Sequence, residues 1–321
     1  KKSEYTGGHC ERVPEITMML ADAVEKTKEG TFKDFSMTED ERYELYIAAW
    51  LHDCGKVATP VHVVDKGTKL ETIYDRVENV QTRFEILKRD VEIKFLNTKL
   101  ELLENGDLDG VKDAKAKLNL QLAQFDDDLA FVEKSNVGGE FMQKEDQDRI
   151  RQISEYEWYY KGEKNPFLSE LEIRNLTIAK GTLLPEEREI INDHIVITID
   201  MLEKLPYPKN LRNVPEFAGG HHETLDGKGY PKGLIGDQMS VQAKMMAIAD
   251  IYEALTASDR PYKDGKKLSH AMRIMGFMRN DYHIDEELFE IFVKEGVYKK
   301  YAKKYLGEDQ LDDVDVEAVL A

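Results

Sequence analysis

From Leu70 to Asn105 the chain carries neither Gly nor Pro, and apolar residues fall at Leu70, Ile73, Val77, Val80, Phe84, Leu87 and Val91. Alternating steps of three and four make a heptad seam, which a long helix packed along one stripe satisfies. At 1.5 Å per residue that helix would reach about 50 Å, longer than a compact core needs. Asn105-Gly106-Asp107 and Asp109-Gly110 supply a turn, and Leu118, Leu122, Phe125, Leu129 and Val132 then repeat the pattern. Two long helices joined by a short turn predict an antiparallel coiled-coil hairpin. Gly138-Gly139 ends the second arm, and Ile150 to Tyr160 reads as a third amphipathic stretch.

Either side of this hairpin the pattern is compact and helical. Val13, Ile16, Thr17, Leu20 and Val24 share one helical face, and Thr38 with Glu41 forms a capping box for a helix that runs to His52. Pro185 with Glu186 and Glu187 opens a helix carrying Ile190, Ile191, His194, Ile197 and Met201. Ser240, Ser269 and Asp285 are expected caps of three more. No segment alternates with the period of two that marks a strand, so the expected fold is all-α. Lys66-Gly67-Thr68 recurs as Lys180-Gly181-Thr182, which suggests an insertion, 71–180, into one loop of an older domain formed by 1–70 and 181–306. Residues 307–321 read as an acidic tail.

Composition narrows the classes of function. Lys and Arg number 45 against 63 Asp and Glu, a net charge of −18, which argues against broad binding to DNA, RNA or an anionic membrane. Two cysteines make no disulfide framework, so the cytoplasm is the expected compartment. No apolar run approaches the roughly 20 residues needed to span a bilayer. The chain opens at Lys1 rather than Met and reads as a fragment, which leaves room for an upstream sensor or membrane segment.

The residues suited to chemistry are histidines and carboxylates on apolar helices. His52-Asp53 at a helix end can offer an imidazole and a carboxylate to a cation, or simply satisfy helix carbonyls. His194 lies in an apolar stripe and, taken alone, reads more readily as a satisfied core histidine than as a ligand. The adjacent pair His221-His222 is harder to explain by packing, and Asp250 on the run Met245–Leu255 is costly to bury unless paired or metal-bound. Together these point to a polynuclear metal centre in a helical bundle. Asp226-Gly227-Lys228-Gly229-Tyr230-Pro231 follows as a rigid loop. His62, His270 and His283 read as rim or solvated residues, Cys10 and Cys54 as small fillers. Asp126-Asp127-Asp128 reads as a solvated helix face.

His221-His222-Glu223, Asp226-Gly227 and Gly229-Tyr230-Pro231, taken in order, resemble the signature of the HD-GYP family of phosphodiesterases. His52-Asp53-x-Gly55-Lys56 is similar to its HD motif. Asp250 with Ala254-Leu255-Thr256 and Asp259-Arg260-Pro261-Tyr262-Lys263 is similar to its downstream motif, and Thr6-Gly7-Gly8-His9 with Arg12-Val13 to its opening helix. The resemblance covers about 1–70 and 181–295 and leaves out 71–180.

The resemblance implies an HD-type helical bundle, with 1–70 and 181–306 as the two parts of its catalytic domain. His9, His52, Asp53 and Asp250 would hold one metal. Asp53 would bridge to a second, held by His194, His221 and His222. Asp53 and Lys56 would be catalytic, with Lys56 beside the scissile phosphate and Arg260 and Lys263 as a phosphate clamp. Tyr5 stands where some relatives carry a Glu for a third metal, so two divalent ions are expected. The family favours iron, and manganese, nickel and zinc suit the same ligands. A metal-bridging hydroxide would open cyclic di-GMP, or the hybrid 3′,3′-cyclic GMP-AMP, to a linear dinucleotide and on to mononucleotides. The alternative is a catalytically weak cyclic-dinucleotide receptor signalling through 71–180. Independently of the resemblance, the heptad seam of 71–180 suggests either a homodimer or partner-docking arm, or two helices that bury their seams only against each other.

Overall fold

The computed structural model describes residues 4–139, 141–259 and 265–321, with side chains from Gly7 onward. The chain begins with α1 (Glu4–Lys26), α2 (Glu39–Leu51) and the single turn α3 (Val61–Val64). There follow α4 (Val77–Glu104), α5 (Leu108–Asn136), α6 (Lys144–Ser154), the strands β1 (Glu157–Tyr160) and β2 (Glu163–Pro166), and α7 (Glu170–Leu176). The remainder comprises α8 (Pro185–Asn192), α9 (His194–Glu203), α10 (Val214–Gly219) and α11 (Val241–Thr256). It ends with α12 (Leu268–Asn280), α13 (Glu286–Lys294), α14 (Val297–Tyr305) and α15 (Val316–Leu320). Helix dominates, as the missing period-2 pattern implies. The contacts divide the chain into one unit of 1–65 with 188–321 and a second of 66–187.

The first unit is a bundle around α1 and α11. Val13, Ile16 and Leu20 of α1 pack in one core with Met245, Ile248 and Tyr252 of α11 and with Phe289, Phe292 and Tyr298 further on. Because 3.6 residues make a turn, the same spacing that buries those faces brings other positions of α1 and α11 to a common end. Thr38 and Glu41 form their reciprocal capping box at α2, and Ser240 and Asp285 cap α11 and α13. Ser269 does not cap: Lys267 precedes α12, while the Ser269 amide and hydroxyl donate to Asp312 across the unit. The acidic segment 307–321 ends in α15, whose Val319 is buried in the core.

In the second unit α4 and α5 pack on each other through Val80, Phe84, Leu87, Phe125 and Val132. The seam starts later than its pattern: Leu70 and Ile73 precede the helix, and Ile73 is 95% exposed. Glu71 explains this, because its carboxylate accepts from the Gly67 and Thr68 amides and holds the chain in a turn. The stretch Ile150–Tyr160 is helical only to Ser154. Residues 157–160 instead pair antiparallel with 163–166, Trp158 opposite Asn165 and Tyr159 opposite Lys164. Lys161 and Gly162, both at positive φ, form a two-residue turn whose twist suits a hairpin. Asp128 also departs from the solvated face expected of it: it is buried and accepts from Arg149, Tyr156 and Gln124. The two Lys-Gly-Thr repeats meet, with the Thr182 hydroxyl donating to the Lys66 carbonyl at 3.0 Å.

Candidate metal centre

Five segments of the first unit deliver the histidines and carboxylates. His9 lies on α1, His52 caps the C-terminus of α2, and Asp53 begins the 3-10 turn Cys54–Val57. His194 opens α9, His221 and His222 follow α10, and Asp250 lies on α11. Two groups result, Asp53 with His194, His221 and His222, and His9 with His52 and Asp250; within each, the ligating atoms lie within 4.8 Å of one another. Asp53 faces both. Its Oδ1 is 3.1 Å from His194 Nε2, while its Oδ2 is 3.2 Å from His9 Nε2 and 3.4 Å from His52 Nε2. Asp250 Oδ1 sits 3.1 Å from His9 Nε2.

The helix ends explain how these rings point. The last carbonyls of a helix lack intrahelical partners. His52 Nδ1 lies 2.6 Å from the Ala49 carbonyl and His221 Nδ1 2.7 Å from that of Ala218, and His194 Nδ1 contacts the Ile191 carbonyl. A carbonyl only accepts, so each Nδ1 carries the proton and each Nε2 presents a lone pair to the centre. His9 Nε2 and His52 Nε2 then face one another at 3.1 Å. Asp53 Oδ1, His194 Nε2 and His221 Nε2 are buried without a hydrogen bond of acceptable geometry. Convergent, buried, unprotonated nitrogen and carboxylate donors fit divalent cations of the first transition row.

Electrostatics keeps Asp53, Asp250, His221 and His222 in the forms that bind a cation, whereas His9 is drawn toward its protonated form. Burial would raise the Asp53 pKa, yet Lys56, His52 and His194 hold it well below the usual carboxylate range. Asp250 is likewise held low against its burial by His9 and the histidine pair. Burial pushes His221 well down and His222 to about 4, so both are neutral imidazoles at pH 7. Burial also works to lower His9, but bonds to Asp250, Asp53 and Glu253 outweigh it and raise the ring well above its ordinary value. Burial raises Cys10 to about 11 and moves Cys54 the same way, so both are thiols at pH 7.

Lys56 and the tyrosine loop complete the surroundings. The Lys56 ammonium donates to Asp53 Oδ2 at 2.5 Å, with its side chain 24% exposed. Gly55 allows the turn to lie against α9: its amide donates to Thr198 Oγ1 at 2.9 Å, and a Cβ there would fall 2.0 Å from the His194 carbonyl oxygen. In the loop, a Cβ at Gly229 would fall 2.3 Å from the Thr224 amide nitrogen. The buried Glu223 carboxylate accepts from the Lys232 and Leu234 amides, at 2.7 and 2.8 Å. Tyr230 stacks on His222 with centroids 4.8 Å apart. His62, His270 and His283 are exposed. Arg260 and Lys263 lie outside the described residues, as does the Tyr5 side chain.

Glu253 has no place among the candidates read from the sequence, yet it is fully buried and bonded to His9 Nδ1. The signal was available. Glu253 follows Asp250 by one turn on a helix otherwise apolar around it, and such a carboxylate demands a partner.

Residues 171–288 match the family model described as "HD domain". That match takes in a little over a third of the chain, and the HD and Gly-Tyr-Pro motifs stand at His52-Asp53 and Gly229-Tyr230-Pro231. It is 41% identical over 81 residues to a 3′3′-cGAMP-specific phosphodiesterase of Vibrio cholerae, 25% of this chain and 19% of that protein. It is 47% identical over 79 residues to a cyclic di-GMP phosphodiesterase of Pseudomonas aeruginosa, 24% of this chain and 18% of that one. A cyclic di-GMP phosphodiesterase of Thermotoga maritima is 34% identical over 119 residues, 37% of this chain and 32% of that protein. The matched stretches thus span between about a fifth and a third of these relatives. No described helix is long and apolar enough to cross a membrane.

Proposed function

We propose that this chain hydrolyses the phosphodiester bonds of a cyclic dinucleotide, cyclic di-GMP or 3′,3′-cyclic GMP-AMP, to the linear dinucleotide and on to mononucleotides. The observation that carries the reading is Asp53, whose two oxygens face the two separate groups of ligands. We assign His9, His52, Asp53 and Asp250 to one divalent ion and Asp53, His194, His221 and His222 to the other, iron first and manganese, nickel or zinc as substitutes. When bound, two such ions supply a water activated at neutral pH and offset the charge on the phosphate oxygens.

The chain's own residues do the rest. The helix-end carbonyls fix each ring so that no reorganisation is needed when ligands close in. Lys56, at the partly exposed edge beside Asp53, donates a proton or a hydrogen bond to the departing 3′-oxygen. Arg260 and Lys263 clamp the phosphates, the former by its planar fork, the latter as a point charge. A chain of net charge −18 thereby holds a dianion by local cations rather than by its overall field. Metal analysis of anaerobically purified protein, with hydrolysis of the two dinucleotides compared side by side, tests the reading. Bound metal with neither dinucleotide cleaved would refute it.

The insertion is assigned to self-association or partner docking. Ile93, Leu96, Leu100 and Leu103 form a second heptad-spaced stripe on α4 and are exposed. An oligomeric state, read from the molecular mass in solution, that stays the same after deletion of 71–180 would exclude the dimer.

A further inference from the structure

His52, His194 and His221 each give Nδ1–H to a neutral carbonyl three residues back in the chain. His9 cannot do this, because it lies inside α1, where the preceding carbonyls bond the next turn. Its Nδ1 instead meets Glu253 Oε2, and its Nε2 meets Asp250 Oδ1. The ring is therefore held end to end between two carboxylates one turn apart on α11. A second pair of residues locks the arrangement. Arg12, one turn beyond His9 on α1, donates from Nε to Glu253 Oε1 at 2.7 Å, and its Nη2 lies 2.6 Å from the same oxygen. Its Nη1 and Nη2 donate to the two oxygens of Asp259 at 2.9 and 2.8 Å. Gly8 leaves room for this fork, since a Cβ there would fall 2.7 Å from Arg12 Nη1 and 2.8 Å from Asp259 Oδ2.

We infer that Glu253, oriented by Arg12, is a positioning residue that fixes the tautomer of His9 and sets the cation affinity of the His9, His52 and Asp250 group. The inference rests on the metal reading above and deepens it by making the two halves of the centre unequal. A carboxylate acceptor makes an imidazole a stronger donor than a carbonyl acceptor does, and removing such a partner typically lowers metal affinity about 10–100-fold. The other group contains no histidine bonded to a carboxylate through Nδ1 among the described residues.

The test is Mn(II) titration of the metal-free full chain, followed by the resonance of free Mn(II), for the parent and for Glu253→Ala, Glu253→Gln and Arg12→Met. The parent should show two classes of site. Glu253→Ala should weaken one class about 10–100-fold and leave the other unchanged. Glu253→Gln, whose amide oxygen still accepts from Nδ1–H, should lose less, and Arg12→Met should weaken the same class. His221→Ala should weaken the opposite class. Equal weakening of both classes by Glu253→Ala, the signature of general loosening, would overturn the inference, as would no weakening at all. Absence of Mn(II) binding by the parent would overturn it together with the metal reading. A protein inactive on cyclic dinucleotides that still shows the selective loss would refute the proposed reaction alone.

Discussion

Gly55→Ala is the smallest perturbation that should damage the centre without touching a ligand. The added Cβ would fall 2.0 Å from the His194 carbonyl oxygen, 2.6 Å from the Thr198 nitrogen and 2.7 Å from Thr198 Oγ1. Two of those atoms are backbone, so the 3-10 turn and the start of α9 must separate. Overpacking of this kind costs about 1–3 kcal/mol, and the Gly55–Thr198 hydrogen bond adds about 0.5–1.5 kcal/mol when broken. A total near 3 kcal/mol in a unit of this size lowers the melting midpoint by about 6–12 °C. The same displacement opens the contact between His194 and Asp53, now 3.1 Å, and a misplacement of about 1 Å typically costs about a hundredfold in rate. Differential scanning calorimetry, Mn(II) binding and cyclic dinucleotide turnover would be measured on the same preparation. A variant with the parental midpoint and parental turnover would show that the close approach of turn and helix does not set the site.

Three further outcomes follow from the geometry. Asp53→Asn removes the charge both ligand groups share, so metal content per chain should fall and turnover should vanish; retained turnover would rule out a bridging role. Lys56→Met should leave metal content intact and slow hydrolysis about 10²–10⁴-fold, read from kcat with metal analysis as control. In the second unit, buried Glu172 accepts from Arg83, and the partnership, with the Ser169 cap, lowers its pKa against the burial that would raise it. A depressed carboxylate stabilises the fold above its ordinary pKa, 4.5 for a glutamate, and that stability is lost as pH falls through the lower folded value. Arg83→Met should therefore speed hydrogen exchange of α7 at pH 7 and flatten its dependence on pH between about 5 and 3. Equal exchange rates in parent and variant would refute the pairing.

The helical character and the caps at Thr38, Ser240 and Asp285 could be read from residue type and spacing, because each depends on neighbours within a turn; the candidate ligands were legible as residue types and through the family resemblance. What escaped the sequence depended on distant partners. Ser269 looks like a cap, but Asp312, far along the chain, claims both its donors. Tyr156 to Tyr160 continues an amphipathic pattern, yet the two-residue turn at Lys161-Gly162 makes a hairpin of it. Asp128 reads as one of three solvated acids until Arg149 and Tyr156 come from another element to pair with it. Glu253 was hidden in the same way, by a partner on α1. The motif residues were visible as types; the direction of each imidazole came only from the carbonyl or carboxylate behind it.

The division of the first unit around residues 66–187 also orders events in time. His9, His52 and Asp53 leave the ribosome before the insertion, and His194, His221, His222 and Asp250 after it. At roughly 5–20 residues per second, α1 and α2 wait about 7–30 s between the synthesis of Asp53 and that of His194. During that interval their apolar faces lack α11, while the heptad helices, built from local contacts, can fold at once. Only three of the seven candidate ligands are then in place, so the proposed centre can be completed only once the C-terminal helices have docked.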